Sequence, residues 1–250
     1  MLTLQYNSSY NSYNIYDLTR KNTVTRNGNT NVGTFSPYGT GWSNYFNGTS
    51  DYVGFAANTA LDFGTGDFTI ECWVYSIKNT NNYPTFLSSV TGWSAGASGH
   101  RFSNFNSLNK FSNYLNGAGG VASGDPFMRS TNTFNFNTWY HYALTRSGNT
   151  WRMFINGALE DTQTYTGSYN CGLGGLRVGW STWDTANGYY SGNVSNLRIT
   201  KGTALYTSAF TPGTTPLTPS ANTSLLTCQS NRFVDNSFYN FTATPSGTPS

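Results

Sequence analysis

Residues 139–157 read WYHYALTRSGNTWRMFING, and this stretch constrains the fold more than any other part of the chain. Large apolar and aromatic residues are dense on both sides of two short polar breaks, and no helix signal is present. The breaks are Ser147-Gly148-Asn149 and Asn156-Gly157. Asn-Gly favours the two positive φ angles of a type I′ turn, which joins neighbouring antiparallel strands. We therefore predict a three-strand meander that continues through residues 158–165.

The same kind of pattern recurs along the chain. No window keeps a helical period, and Gly, Asn or Pro interrupts nearly every ten residues. Many short strands separated by turns are typical of an all-β sandwich or barrel. The predicted strands are 43–46, 52–55, 68–76, 85–90, 100–104, 110–115, 139–146, 151–155, 158–165, 176–179 and 192–200.

Composition narrows the class of protein. Aromatic residues make up 17% of the chain, enough to build a core, so the sequence does not read as disordered. Charged residues make up only 9%, and the net charge of +3 is spread without a Lys/Arg cluster, so we expect neither nucleic-acid binding nor a polybasic membrane anchor. No apolar stretch approaches the roughly 18 residues needed for membrane insertion. No signal peptide is visible in the first residues, MLTLQYNSSY.

The three cysteines, Cys72, Cys171 and Cys228, are odd in number and far apart in the sequence. They have neither metal-finger spacing nor the pairing of a disulfide framework. We interpret them as small buried thiols.

A short internal similarity links the two ends of the chain. NIYDLTRKNTVTRNGNT at 14–30 and RFVDNSFYNFTATPSGT at 232–248 both have an aromatic residue, an Asp (Asp17 and Asp235), a polar turn and a Thr-rich strand. If the match is not chance, residues 221–250 start a second copy of the module, or the termini form equivalent strands. We favour the first, with a domain at residues 1–220 and a C-terminal extension at 221–250.

Three motifs in sequence order resemble a known family. They are YFNGTSDYVGF (45–55) with LDFGTGDFTIECWVY (61–75), WYHYALTRSGNTWRMFINGAL (139–159), and YYSGNVSNLRITKGTALYTSAFTP (189–212). Together they resemble a laminin-G-like, concanavalin-A-like jelly-roll domain of the kind found in virion proteins of tailed phages. The resemblance covers roughly residues 14–217.

The resemblance implies an all-β fold, a two-sheet antiparallel jelly-roll sandwich, with frequent roles in carbohydrate or surface recognition and often a calcium ion at one rim. It predicts a non-catalytic lectin module on the virion surface, as in a tail fibre, that binds a host-surface glycan and is present in many copies or as a homo-oligomer. The alternative is a structural or decoration protein that only contacts other virion subunits.

The residues give no sign of an enzyme. Glycosidases of this fold need two or three carboxylates clustered on one strand, whereas the only glutamates, Glu71 and Glu160, fall on separate predicted strands. Of the two histidines, His100 and His141, neither has partners at metal or triad spacing, and His141 is expected to be structural. A glycosidase built on an unusual pair of carboxylates about 5–10 Å apart stays as a third hypothesis.

Sugar rings pack on Trp and Tyr, and amides read their hydroxyl groups. Aromatic residues on Gly/Ser-rich loops are therefore the candidates, unless they only cover the ends of the sandwich or contact a neighbouring subunit. The predicted carbohydrate-binding residues are Trp93, Trp180, Trp183, Asn187 and Tyr189. By contrast, Trp73, Trp139 and Trp151 lie within strands and are expected in the core.

A calcium site is the one cofactor that the resemblance suggests. Calcium takes six to eight oxygen ligands, and loop 179–190 offers Asp184 and Asn187. The alternative for this loop is a solvated turn. Asp51 and Asp67 each follow a Gly/Ser turn, so we interpret them as turn-capping residues rather than ligands.

Overall fold

Two antiparallel sheets of seven strands each form the body of the computed structural model. It describes residues 4–6, 15–17, 35–39, 41–78, 81, 83–89, 100–103, 108–115, 126–170, 175–181, 188–230, 232–247 and 249, with only the backbone for 4–6, 15–17, 100–103 and 170. The strands are β1 Leu4–Tyr6, β2 Ile15–Asp17, β3 Asn44–Asn47, β4 Tyr52–Phe55, β5 Asp62–Gly64, β6 Phe68–Ser76, β7 Thr85–Ser89, β8 His100–Ser103, β9 Ser112–Leu115, β10 Met128–Arg129, β11 Trp139–Ser147, β12 Thr150–Ile155, β13 Ala158–Thr164, β14 Tyr169–Asn170, β15 Leu176–Val178, β16 Ser191–Lys201, β17 Thr223–Thr227 and β18 Ala243–Ser246. A 3₁₀ turn, Thr59–Leu61, precedes β5.

Sheet 1 has the strand order β10-β9-β8-β7-β15-β4-β18. Sheet 2 has the order β13-β12-β11-β6-β16-β17, and β3 also pairs with β16. Two small ribbons, β1-β2 and β14-β5, complete the pairing within the described residues. The predicted all-β, two-sheet antiparallel jelly-roll sandwich is confirmed.

All of the strands predicted from the sequence are present, with ends that shift by one or two residues at most. The meander of β11, β12 and β13 forms as predicted. Its Asn156-Gly157 turn has φ angles of 50° and 79°, the two positive values of a type I′ turn.

The chain beyond residue 220 contributes one strand to each sheet. β17 pairs with β16 of sheet 2, and β18 pairs with β4 of sheet 1. Between them, the Asp235 carboxylate accepts hydrogen bonds from the backbone N–H groups of Leu226, Ser237 and Phe241 at 2.8–2.9 Å. Asp235 thus organises the turn that joins the two sheets, while the start of a repeated module at residues 221–250 stays a prediction.

Aromatic side chains dominate the core between the sheets. Phe68 and Trp151 of sheet 2 meet Tyr169, with ring centroids 5.0–5.4 Å apart, and Phe86 of sheet 1 lies against Tyr142 of sheet 2. The core also contains the free thiols of Cys72 and Cys228, and burial raises the pKa of Cys228 to about 12. Both are the small buried thiols that were predicted, and Cys171 lies outside the described residues.

The outer face of sheet 2 is partly covered by two segments, residues 35–43, of which all but Thr40 are described, and residues 203–218. This cover explains why one expectation about the tryptophans is wrong. Trp151 is in the core, but Trp73 and Trp139 are half-buried on the outer face. Side chains alternate along a strand, and because Cys72 and Val74 point into the core, Trp73 between them must point outward.

Candidate functional site

Three aromatic rings and one guanidinium group form a surface on the outer side of sheet 1, which we call the aromatic platform: Tyr52, Arg177, Trp180 and Tyr189. Trp180 stacks on Tyr189 with centroids 5.4 Å apart and planes 15° apart. Tyr52 lies against Trp180 at 5.0 Å and 31°. Trp180 is therefore the central ring of three nearly parallel rings, all of them half-buried.

Strand alternation and pairing place Tyr52 and Arg177 on this face. Val53 and Phe55 of β4 point into the core, as do the two residues that flank Arg177 on β15, so Tyr52 and Arg177 point outward. The pairing of β15 with β4 sets Arg177 opposite Gly54. A Cβ on Gly54 would lie 3.1 Å from Arg177 Nη1, so the missing side chain makes room for the guanidinium.

Two hydrogen bonds hold the backbone on either side of Trp180 and Tyr189. The Tyr190 N–H donates to the Gly179 carbonyl at 2.9 Å, and the Ser88 hydroxyl donates to the Trp180 carbonyl at 2.7 Å. Tyr190 turns into the core, so Tyr189 next to it turns outward. Gly179 is required here, because its φ is 92° and a Cβ would lie 2.4 Å from the Phe46 ring.

Arg177 gives the platform a positive charge. Its Cζ lies 4.7 Å from the centroid of Tyr52 and 5.3 Å from that of Trp180, within the range of cation–π attraction. Burial and the neighbouring Tyr52 raise the pKa of Tyr189, although the charge of Arg177 opposes them. The Tyr189 hydroxyl therefore stays protonated at neutral pH and can both donate and accept a hydrogen bond.

The predicted binding residues fall into two groups. Trp180 and Tyr189 are in contact, whereas Trp93, Trp183, Asn187 and the predicted calcium ligand Asp184 lie outside the described residues. Their roles stay predictions. Sequence reasoning missed Tyr52 and Arg177, although the alternation in the predicted strands 52–55 and 176–179 already carried the signal for their outward direction.

A second polar cluster, centred on Glu71, lies under the 203–218 segment. The buried Glu71 carboxylate accepts hydrogen bonds from Arg198 Nε at 2.9 Å and the Tyr206 hydroxyl at 2.8 Å. His141 Nε2 is 3.2 Å from Glu71 Oε2, so this ring nitrogen carries the hydrogen. Burial, the largest single influence, raises the pKa of Glu71, but the hydrogen bond from His141 and the charge of Arg198 outweigh it and lower that pKa. His141 is thus structural, as predicted.

The described carboxylates are engaged in structural contacts. Glu160 accepts hydrogen bonds from the backbone and side chain of Asn132. Glu71 and Glu160 are three strands apart in sheet 2, about 14 Å at the usual strand spacing, which exceeds the separation of a glycosidase pair. Asp51 accepts a hydrogen bond from the Asn47 N–H, and Asp67 one from the Gly148 N–H. In the part of the chain that the structure describes, no three His, Cys, Asp or Glu side chains group as a metal site.

A family model described as the concanavalin A-like lectin/glucanases superfamily matches residues 47–206, more than half of the chain. The chain belongs to this superfamily. The match includes Tyr52, Arg177, Trp180 and Tyr189, so the whole aromatic platform lies within the family domain. No match was found among the curated proteins.

The chain is similar to several solved structures at low sequence identity. A proposed carbohydrate-binding protein from Bacteroides ovatus is 16% identical with a TM-score of 0.50, over 84% of this chain and 60% of that chain. A heptameric SAP-like pentraxin from Limulus polyphemus is 15% identical with a TM-score of 0.46, over 68% of this chain and 78% of that chain. Domain 4 of a GH43 extracellular arabinanase from Geobacillus stearothermophilus, solved with arabinotriose, is 16% identical with a TM-score of 0.47, over 65% and 71%.

The chain spans 60% of the length of the Bacteroides ovatus protein. No helix among the described residues has the length and apolar character needed to cross a membrane.

Proposed function

We propose that this chain is a non-catalytic recognition domain that binds cell-surface carbohydrate, and that the aromatic platform is its binding surface. The observation that carries the proposal is the stack of Tyr52, Trp180 and Tyr189 beside Arg177, half-exposed on the outer side of sheet 1. Sugar rings pack their C–H faces on aromatic side chains. The Tyr189 hydroxyl and the Arg177 N–H groups then supply hydrogen bonds to the sugar hydroxyls.

The fold and the charge support the same function. The superfamily includes lectins, and the Bacteroides ovatus structure of the same fold is proposed to bind carbohydrate. The platform has only three rings and one cation, so a single site would bind a glycan weakly. Affinity for a cell surface would come from several copies acting together. We place such a multicopy assembly on the surface of a phage virion, with a calcium ion held by Asp184 and Asn187.

The test is a glycan array probed with an oligomeric form of the protein, with and without millimolar calcium. We expect Tyr189→Ala to weaken binding about tenfold, a loss of about 1.4 kcal/mol that corresponds to one aromatic contact. Tyr45→Ala is the matched control, because Tyr45 is 36% exposed on β3 of sheet 2 and is not part of the platform. Equal binding by the two variants would remove the platform from the binding site, and calcium dependence would support the predicted ion.

A purely structural virion protein is the second candidate, and one observation favours it. Phe238 and Tyr239 are 74% and 53% exposed side by side, and large exposed apolar side chains mark contact surfaces between proteins. In that case no glycan on the array would be bound at any valency. Phe238→Ser would instead reduce co-assembly with the neighbouring subunit, measured by light scattering of the purified particle components.

A further inference from the structure

A cleft of about 360 Å³ lies on the outer face of sheet 2, on the opposite side of the sandwich from the aromatic platform. It opens between the two covering segments, residues 35–43 and 203–218. Trp73 of β6 and Trp139 of β11 line it from the sheet, and Tyr38, Asn156, Pro212 and Thr214 line it from the loops around it. Its volume falls within the range of about 300–1,000 Å³ that is usual for ligand pockets.

The loops that line the cleft are tied to the sheet, so the cleft is preformed. On one side, the Ser195 hydroxyl donates to the Trp42 carbonyl at 2.8 Å, which holds the segment that carries Tyr38. On the other side, the Phe210 N–H donates to the Gly157 carbonyl at 3.0 Å, which holds the segment that carries Pro212 and Thr214. A ligand would therefore meet walls that are already in place, at a low cost in conformational entropy.

Asn156 is fixed as well. Its side-chain Oδ1 accepts the His141 N–H at 2.8 Å, and its own N–H donates to the His141 carbonyl at 2.8 Å. Because its oxygen is already bonded to the backbone, the side-chain NH₂ group is the part of Asn156 that remains for a ligand. The residue is exposed at the rim of the cleft.

The lining determines the class of ligand. Tyr38 and Trp73 meet edge to face, with centroids 5.9 Å apart, so their rings form two walls of a corner. Burial raises the pKa of Tyr38 to about 12, and its hydroxyl oxygen is itself buried, so Tyr38 contributes an uncharged ring to the cleft. No charged side chain occurs among the described residues that line the cleft. Flat apolar faces combined with the exposed amide of Asn156 and hydroxyl of Thr214 suit an uncharged ring with several hydroxyl groups.

We propose that this cleft is a second carbohydrate site, selective for neutral saccharides, and that one chain therefore binds glycan on both outer faces of its sandwich. The described residues of the cleft include no cation, whereas the platform has Arg177, so the two sites differ in the ligands they accept. Because the sites face in opposite directions, a short oligosaccharide cannot occupy both at once. Two separate glycan chains would be bridged instead, which adds to the avidity of a multicopy assembly.

The experiment is a titration of the ¹⁵N-labelled full chain, followed by NMR of the Trp indole N–H signals. The probes are maltose, lactose, mannobiose and N,N′-diacetylchitobiose, with sialyllactose as the charged probe and a decaproline peptide as the competing class of ligand. We expect at least one neutral disaccharide to shift the signals of Trp73 and Trp139 with millimolar affinity. Thr214→Trp, which fills the cleft from an exposed position, should weaken these shifts at least about tenfold.

Thr215→Trp is the matched control, since it adds the same side chain at the next exposed residue, which does not line the cleft. Tyr189→Ala should leave the cleft signals unchanged, so failure of the platform and failure of the cleft are distinguishable. The proposal is overturned if no neutral disaccharide shifts Trp73 and Trp139, or if Thr214→Trp and Thr215→Trp behave alike. Preferential binding of decaproline or sialyllactose in the cleft would also overturn it.

Discussion

Glu71→Gln should lower the free energy of unfolding by about 3 kcal/mol, the lower end of the range for breaking a buried ion pair. The carboxylate is bonded to Arg198, Tyr206 and His141, and the substitution keeps its shape while removing its charge. The lower end of the range applies because the Arg198 side chain is 14% exposed and keeps part of its hydration. For a domain of this size the melting temperature should fall by roughly 6–12 °C.

Glu160→Gln is the control, because Glu160 is the only other glutamate in the chain and is likewise buried. Its described partners are the uncharged N–H groups of Asn132, so a neutral amide oxygen can still accept one of them. We expect a loss of about 1 kcal/mol for this variant. Urea denaturation of both variants measures the difference, and equal losses would show that the charge of Glu71 makes no special contribution to the stability of the protein.

The lowered pKa of Glu71 also sets a dependence of stability on pH. Because the folded state holds this proton less tightly than the unfolded state, the stabilisation is complete above the unfolded pKa of about 4.3. It is lost as the pH falls from there through the lower pKa of the folded state. Wild-type stability should therefore fall more steeply than that of Glu71→Gln below about pH 5. Parallel slopes in urea titrations at pH 6 down to pH 3 would contradict the assignment.

Local pattern was enough to predict most of the sandwich. The strands from 43 to 200 and the Asn156-Gly157 turn depend on alternation and turn chemistry within a few residues, and these signals are visible in the sequence. The predicted set of strands does not contain β1, β2, β5, β10, β14, β17 and β18. Three of these show why local pattern was not enough. β5, β10 and β14 are two or three residues long, and each forms only because a distant segment offers a partner.

The tryptophans of sheet 2 show where the alternation of side chains along a strand is not enough to predict which face is the core. β6 reads FTIECWVYS, with large side chains on both faces, because residues 35–43 and 203–218 cover its outer side. Trp73 was therefore expected in the core, although its neighbours Cys72 and Val74 occupy that side. A covering segment is a tertiary feature, so the cleft that it creates could not be predicted from local pattern.

For the same reason, only part of the aromatic platform could be predicted from the sequence. Trp180 and Tyr189 were found because they lie in one Gly-rich loop region of the sequence. Their contact with Tyr52 and Arg177 depends on the pairing of β15 with β4 and on the absence of a side chain at Gly54. These elements are far apart in the sequence, and no short-range pattern records which strands become neighbours.

The turn at Gly157 connects the fold to the cleft, and Gly157→Ala should destabilise the protein by about 3 kcal/mol. A Cβ at this residue would lie 1.7 Å from the Phe210 carbonyl oxygen, so the 203–218 segment must move away. The φ of +79° adds about 1–2 kcal/mol for any L side chain, and overpacking adds about 1–3 kcal/mol. Movement of the segment also breaks the hydrogen bond from the Phe210 N–H to the Gly157 carbonyl.

The variant Gly148→Ala separates the cost of the positive φ angle from the cost of the steric overlap with Phe210. Gly148 lies in the preceding turn of the same meander with a φ of +58°, but nothing lies within 4 Å of its Cβ position. Gly148→Ala should therefore lower the free energy of unfolding only by the conformational part, about 1–2 kcal/mol.

Hydrogen exchange should show faster exchange of the Phe210 amide in Gly157→Ala than in Gly148→Ala at matched stability. If Thr214 leaves the cleft together with Phe210, Gly157→Ala should also abolish disaccharide shifts at Trp73 while binding at Tyr189 persists. Slow Phe210 exchange in Gly157→Ala would instead mean that the turn, and not the 203–218 segment, adjusts to the added methyl group.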